Sequence, residues 1–208
     1  HPFERFKVIN LAGDHMDRIQ ADLNILHRHN LQKNGYILIV GGKSLRKNLA
    51  TVRKALELIR SETRVVVAGE GYQKIFNRDA VQWTTRNIVA LGHITDEELK
   101  ALYLNALGLV LPSYYEGFGL PILEAMQCGC PVLCARAASL PEVAGNAALF
   151  FDPMNAMDIA KAIDQIVLDP PLRNELTQKG YQRAKAFSWR AAASQTMDAL
   201  LGAVQDHS

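Results

Sequence analysis

Six short runs of consecutive apolar residues punctuate the chain, at residues 36–40 (YILIV), 64–68 (RVVVA), 87–91 (NIVAL), 108–111 (GLVL), 131–134 (PVLC) and 148–151 (ALFF). Each is continuously hydrophobic and does not alternate, which predicts strands covered on both faces, as in a parallel sheet. Between them, apolar residues recur at helical spacing over 47–61, 72–78, 96–105 and 119–127, with a short piece at 141–144. Thr95-Asp96-Glu97-Glu98 has the capping-box pattern and predicts a helix start at that point. Beyond residue 151 the strands stop, and 157–168, 172–186 and 189–204 read as three successive helices, the first two parted by Asp169-Pro170-Pro171. Five residues, 7–11, suggest one extra strand. No repeat, low-complexity tract or internal boundary interrupts the pattern. The prediction is a single doubly wound α/β domain over residues 1–208, with about six parallel strands and additional C-terminal helices.

Composition narrows the partners. The 208 residues are 49% hydrophobic and 21% charged, which excludes disorder and fibrous structure. Lys and Arg number 23 against 21 Asp and Glu, a formal +2, so no broad field invites nucleic acid, and any cationic function must be local. No apolar stretch approaches the roughly 18–20 residues that span a bilayer, so no integral membrane segment is expected. Three cysteines, an odd number, fit a reducing compartment, which makes cytoplasm the expected location. Cys128, Cys130 and Cys134 have no neighbouring His and enter an apolar run, so they are expected as small packed hydrophobes, and no metal site is predicted. His27, Arg28 and His29 are expected to face solvent, and Trp189 to anchor the last helix. The chain begins with His1 and not Met, which suggests a processed or excised piece of something longer.

Open parallel sheets bind ligands outside the carboxyl ends of their strands, so the loops there carry the chemistry. The densest runs from Pro112 to Gly129, PSYYEGFGLPILEAMQCG. Gly117 and Gly119 let the backbone turn sharply and bring its N–H groups close to a ligand oxygen. The free N–H groups and dipole of the helix that follows favour an anion such as a phosphate, and Pro121 suits the first helical turn. Glu116 precedes the turn; Glu124 follows after seven intervening residues, among Leu120, Ile122, Leu123 and Met126, where an acid needs a partner. Taken singly, these features fit equally a surface turn with both carboxylates in solvent.

The whole string resembles the E-x7-E region of retaining glycosyltransferases of the glycosyl transferase group 1 class, family four type, which have the GT-B fold. Other segments match in order. Gly41-Gly42-Lys43-Ser44-Leu45-Arg46-Lys47-Asn48-Leu49 is similar to the family's glycine loop ending in R-K-N or R-K-G, and Ala68-Gly69-Glu70-Gly71 to its second glycine turn. Residues 91–99 (LGHITDEEL) are similar to its G-x-V-x-D-E-E-L segment, and Pro141-Glu142-Val143-Ala144-Gly145 with Phe151-Asp152-Pro153 completes the series. Asp14 after Gly13 resembles its G-V-D junction segment, without the intervening apolar residue. The resemblance covers the C-terminal, Rossmann-like half of a GT-B enzyme, the half that binds the donor.

The resemblance implies a role for each loop. Lys43 and Lys47 would stabilise the charge growing on the leaving diphosphate; Lys43 departs from the family's Arg and acts as a point charge, with Arg46 able to substitute. Glu116, grouped with these two lysines as catalytic, would contact hydroxyls of the transferred sugar, with the N–H groups of Gly117, Phe118 and Gly119 beside it. Glu124 would accept from the two ribose hydroxyls. Gly42, Gly69, Ser113 and Leu120 complete the donor site, and backbone groups around His93 and Ile94 would read the base. The implied partners are a nucleotide-diphosphate sugar, for which the R-K-N form favours GDP-mannose, and an N-terminal acceptor domain absent from these residues. No cofactor is implied. The implied function is retaining sugar transfer to a saccharide or lipid-linked acceptor, the isolated domain binding without turnover, in the cytoplasm, with a peripheral membrane position left open for the full enzyme. Two rivals stay open: a GT-B-like epimerase or phosphorylase, and a non-catalytic nucleotide-binding module.

Overall fold

The computed structural model describes residues 6–42, 44–69 and 88–205. Six strands, β1 (Tyr36–Val40), β2 (Arg64–Ala68), β3 (Ile88–Gly92), β4 (Gly108–Leu111), β5 (Val132–Ala135) and β6 (Ala148–Phe151), form one parallel sheet in the order β3-β2-β1-β4-β5-β6. In the four central strands the apolar runs are continuous because neither face meets water: Ile37, Leu38, Val66, Val67, Leu109, Val110, Val132 and Leu133 are fully buried, while the edge strands β3 and β6 are mostly half-buried. The helices α1 (Asn24–Arg28), α2 (Leu49–Leu56), α3 (Asp96–Asn105), α4 (Leu120–Gln127), α5 (Leu140–Ala144), α6 (Ala156–Leu168), α7 (Pro170–Ala184) and α8 (Trp189–Gln205) supply that cover. Among their contacts, α2 packs on α6, α4 on α7 and α1 on α3.

Local signals act where expected. The capping box at Thr95 is complete: Glu98 N–H donates to Thr95 Oγ1 at 3.3 Å and Thr95 N–H to Glu98 Oε2 at 3.0 Å. The cysteines are buried, and burial pushes the Cys128 and Cys134 thiols up to about 12. His27 and Arg28 are exposed, and Arg28 pairs with Glu98.

Three expectations are corrected and one lies outside the described residues. Residues 7–11 form no strand: they pair with no strand of the sheet and Val8 is left 82% exposed, so no burial holds the run extended. The helix expected over 47–61 is α2 alone. Lys47 ends a separate 3-10 turn, Leu45–Lys47, because Asn48 is left-handed (φ 56°) and breaks the helical path between them. At the far end the helix stops at Leu56, and beyond it the N–H groups of residues 60 and 61 donate to the Asp164 carboxylate at 2.9–3.2 Å. The helix expected over 72–78 lies outside the described residues. Trp189 opens α8 but is 38% exposed, held by its N–H groups and not by burial.

Candidate functional site

The chain crosses from one half of the sheet to the other between β1 and β4, and the crevice at their carboxyl ends is the topological switch point where such sheets hold ligands. The loops there bring residues 47, 113 and 116 into contact. After β1 the chain turns at Gly41, where φ is +148° and a Cβ would stand 2.9 Å from Lys47 Cε; glycine leaves the space through which the lysine stem runs. Lys47 Nζ lies 2.6 Å from Glu116 Oε1, the two side chains 14% and 11% exposed, and Ser113 Oγ donates to the same oxygen at 2.7 Å. Burial alone pushes the Glu116 carboxyl up, but the hydrogen bonds from Lys47 and Ser113 and the charges of Lys47 and Arg46 outweigh it and hold the group below the usual carboxylate range.

The two loops are stapled together. Tyr114 N–H donates to the Arg46 carbonyl at 2.8 Å, and Asn48 Nδ2 donates to the carbonyls of Pro112 at 3.0 Å and Pro153 at 2.7 Å. Ser139 Oγ, from the loop before α5, lies 2.8 and 2.9 Å from the carbonyl oxygens of Glu116 and Phe118. With those carbonyls drawn to Ser139, the N–H groups of Gly117, Phe118 and Gly119 have no acceptor among the described residues. A Cβ at Gly117 would meet nothing within 4 Å, so the turn faces open space. Gly119, left-handed at φ 98°, leads into α4 with Leu120 and Pro121 in its first turn. A half-buried lysine beside a row of N–H groups with no acceptor among the described residues, at a helix start, is suited to oxygens of a multiply charged anion.

Glu124 sits on α4 and contacts none of residues 47, 113 and 116. Tyr103 Oη donates to its Oε2 at 3.1 Å, and His15 Nε2 lies 3.4 Å from its Oε1. Burial raises its carboxyl, partly opposed by the hydrogen bond from Tyr103 and by His15. The remaining expected residues lie at the same edge of the sheet: Gly42 and the exposed Arg46 after β1, Gly69 after β2 with its N–H on the Gly92 carbonyl at 2.8 Å, and exposed His93 and half-buried Ile94 after β3. Lys43, with Glu70 and Gly71, lies outside the described residues. Among the described residues no group of three His, Cys, Asp or Glu side chains could hold a metal ion, and no helix is long and apolar enough to cross a membrane.

Sequence reasoning missed His15, Tyr103, Asn48 and Ser139. Gly13-Asp14 pointed to the right segment but not to its histidine, and Asp14 accepts Trp189 N–H at 3.2 and 3.3 Å. Tyr103 and Ser139 carry no local pattern that separates them from ordinary helix and loop residues.

The family described as Glycosyl transferases group 1 matches residues 24–183. Over 209 residues the chain is 39% identical to O-antigen chain mannosyltransferase B of Escherichia coli, covering 96% of this chain and 55% of that protein. It is 28% identical to serotype-specific mannosyltransferase WbdA of Escherichia coli, covering 97% of this chain and 25% of that protein. Among solved structures, sucrose-phosphate synthase of Thermosynechococcus elongatus is similar with a TM-score of 0.77 at 27% identity, over 93% of this chain and 51% of the other. Anabaena HepE in complex with UDP-glucose shares the fold, with a TM-score of 0.81 at 17% identity over 94% of this chain and 57% of the other. The chain thus spans from a quarter to just over half the length of these relatives.

Proposed function

Since the chain belongs to the glycosyl transferases group 1 family, we propose that it is the C-terminal, donor-binding half of a retaining glycosyltransferase, whose acceptor half is a further N-terminal domain. Its donor is a nucleotide-diphosphate sugar, and its transferred sugar a hexose bound for a saccharide or lipid-linked acceptor. The observation that carries the reading is the Lys47–Ser113–Glu116 cluster at the switch point, flanked by three N–H groups that have no acceptor among the described residues. Lys47 and the N–H groups of Gly117, Phe118 and Gly119 take the diphosphate, and their fixed positive charge lowers the barrier as the leaving group gains negative charge. Glu116, released from Lys47 by the phosphates, turns its oxygens to hydroxyls of the sugar. Glu124 accepts from the ribose, and the backbone at His93 and Ile94 faces the base. Arg46, Gly42, Gly69, Ser113 and Leu120 lie in the loops at the same end of the sheet, and by its place in the sequence Lys43 belongs with them. The mannosyltransferase names of the two Escherichia coli relatives support mannose as the sugar and GDP-mannose as the donor.

Calorimetric titration of the chain with GDP, UDP, ADP and GDP-mannose tests this. Saturable binding is expected, strongest for the guanine nucleotides, and weakened roughly tenfold or more by Lys47→Ala, the loss of one charge-assisted contact to phosphate. Absence of binding by every nucleotide at millimolar concentration refutes the donor-half reading, and preference for UDP refutes only the assignment of GDP-mannose.

A further inference from the structure

Glu124 is held by residues that belong to none of the glycine loops. The two nitrogens of His15 have different partners: Nε2 faces Glu124 Oε1 at 3.4 Å, and Nδ1 receives Trp189 Nε1–H at 3.1 Å. An indole nitrogen only donates, so Nδ1 is unprotonated and the ring proton sits on Nε2, aimed at the carboxylate. The tautomer is thereby set by a residue 174 positions away.

The segment that carries His15 has little freedom. Lys100 Nζ, on α3, donates to the carbonyls of Met16 and Ile19 at 2.7 Å each. Gln127 Nε2, on α4, donates to both oxygens of Asp17 at 2.9 and 2.8 Å. Gly13 lies so close to α4 that a Cβ on it would stand 2.6 Å from the Leu123 carbonyl carbon, one residue from Glu124. Residues 13–19 are a brace laid on the helix of the second carboxylate.

A carboxylate offers about four acceptor positions, two on each oxygen. His15 Nε2 faces Oε1 at 3.4 Å, longer than an ordinary hydrogen bond, and Tyr103 donates to Oε2 at 3.1 Å; with one neighbour on each oxygen, each keeps at least one acceptor position. Two free positions, one per oxygen, match two adjacent hydroxyl groups. We infer that His15 is a positioning residue for donor binding: locked by Trp189, it aims the Glu124 carboxylate so that both oxygens accept from the ribose of the bound nucleotide. The inference rests on Glu124 as the ribose-binding group. It also makes nucleotide affinity depend on the docking of residues 13–19 and of the start of α8.

The test separates a positioning role from general support of the fold. Affinity for the tightest binder among GDP, UDP and ADP is compared with that for its 2′-deoxy counterpart, by calorimetry, in the parent chain and in variants. The parent is expected to prefer the ribonucleotide. His15→Phe, and His15→Asn, which reaches Trp189 but falls short of Glu124, are expected to weaken the ribonucleotide roughly tenfold while leaving the 2′-deoxynucleotide within about twofold. His15→Gln, whose amide N–H extends to the position of Nε2, restores the preference. Equal loss for both nucleotides, or no loss, overturns the inference. Glu124→Ala distinguishes the two layers of argument. If it leaves the preference intact, Glu124 is not the ribose group and both fall. If it abolishes the preference while the His15 variants keep it, only the role of His15 falls. No binding by any of the three nucleotides at millimolar concentration overturns both.

Discussion

Replacing Lys47 with alanine strands the Glu116 carboxylate, and the structure bounds the cost. Exposed ion pairs contribute about 0.2–1 kcal/mol, whereas removing one partner of a buried pair costs about 3–5 kcal/mol. The Lys47 and Glu116 side chains, 14% and 11% exposed, lie between these limits, and Ser113 still donates to Glu116 Oε1 after the change. A loss of ~1–2 kcal/mol at pH 7 follows, or a fall of ~2–8 °C in Tm for a chain of this size. The pH dependence is more diagnostic than the size. Glu116 titrates below its unfolded value, so the stability it contributes is fully present above about pH 4.3 and drains away as pH falls through the lower folded value. The Lys47→Ala penalty should therefore shrink steadily from pH 5 to pH 3. Urea unfolding of parent and variant at pH 7, 5 and 3.5 measures it. A penalty under ~0.3 kcal/mol at pH 7, or one that is the same at pH 3.5, refutes the claim that the pair stabilises the ligand-free fold.

Glu124→Gln should move stability the other way. Its carboxyl titrates above the unfolded value, so its charge carries a penalty that is absent below about pH 4.3 and complete above the raised folded value; the stability of the variant relative to the parent is expected to rise between pH 4 and pH 8 in urea melts, and a flat difference counts against this. Gly13→Ala places a methyl group against the Leu123 backbone and is expected to cost ~1–3 kcal/mol, whereas Gly42→Ala, with nothing within 4 Å, stays within ~0.5 kcal/mol; urea midpoints that rank the two alike contradict the brace geometry.

The sheet was legible because burial on both faces writes itself into the strands as unbroken apolar runs, and each of the six forms within a residue of its expected limits. The candidate site could be singled out where its parts are adjacent in sequence: Ser113, Glu116 and the Gly117–Gly119 turn share one loop, and it is that whole string, not its spacing alone, that carries the family resemblance. Sequence reasoning failed where a backbone conformation or a distant contact decides. Nothing in the helical spacing after Gly41 reveals that Asn48 turns left-handed and divides Lys47 from α2. The residues around Glu124 come from positions 15, 103 and 189, and no local pattern links them. Trp189 was expected to matter for its apolar bulk, yet it acts through its N–H groups, which hydrophobic periodicity does not register.

The bond between Trp189 and His15 spans 174 positions, while every strand of the sheet lies between residues 36 and 151. A chain made from its N-terminus can pair β1 through β6 before Trp189 leaves the ribosome, and contacts closing so long a loop form late. The Lys47–Ser113–Glu116 cluster with Ser139, drawn from residues 47 to 139, can be complete at that stage, whereas the Trp189 partner of His15 is not yet available. The two carboxylates of the E-x7-E segment, eight positions apart on one stretch of chain, are therefore expected to reach their final surroundings at different times, Glu124 last.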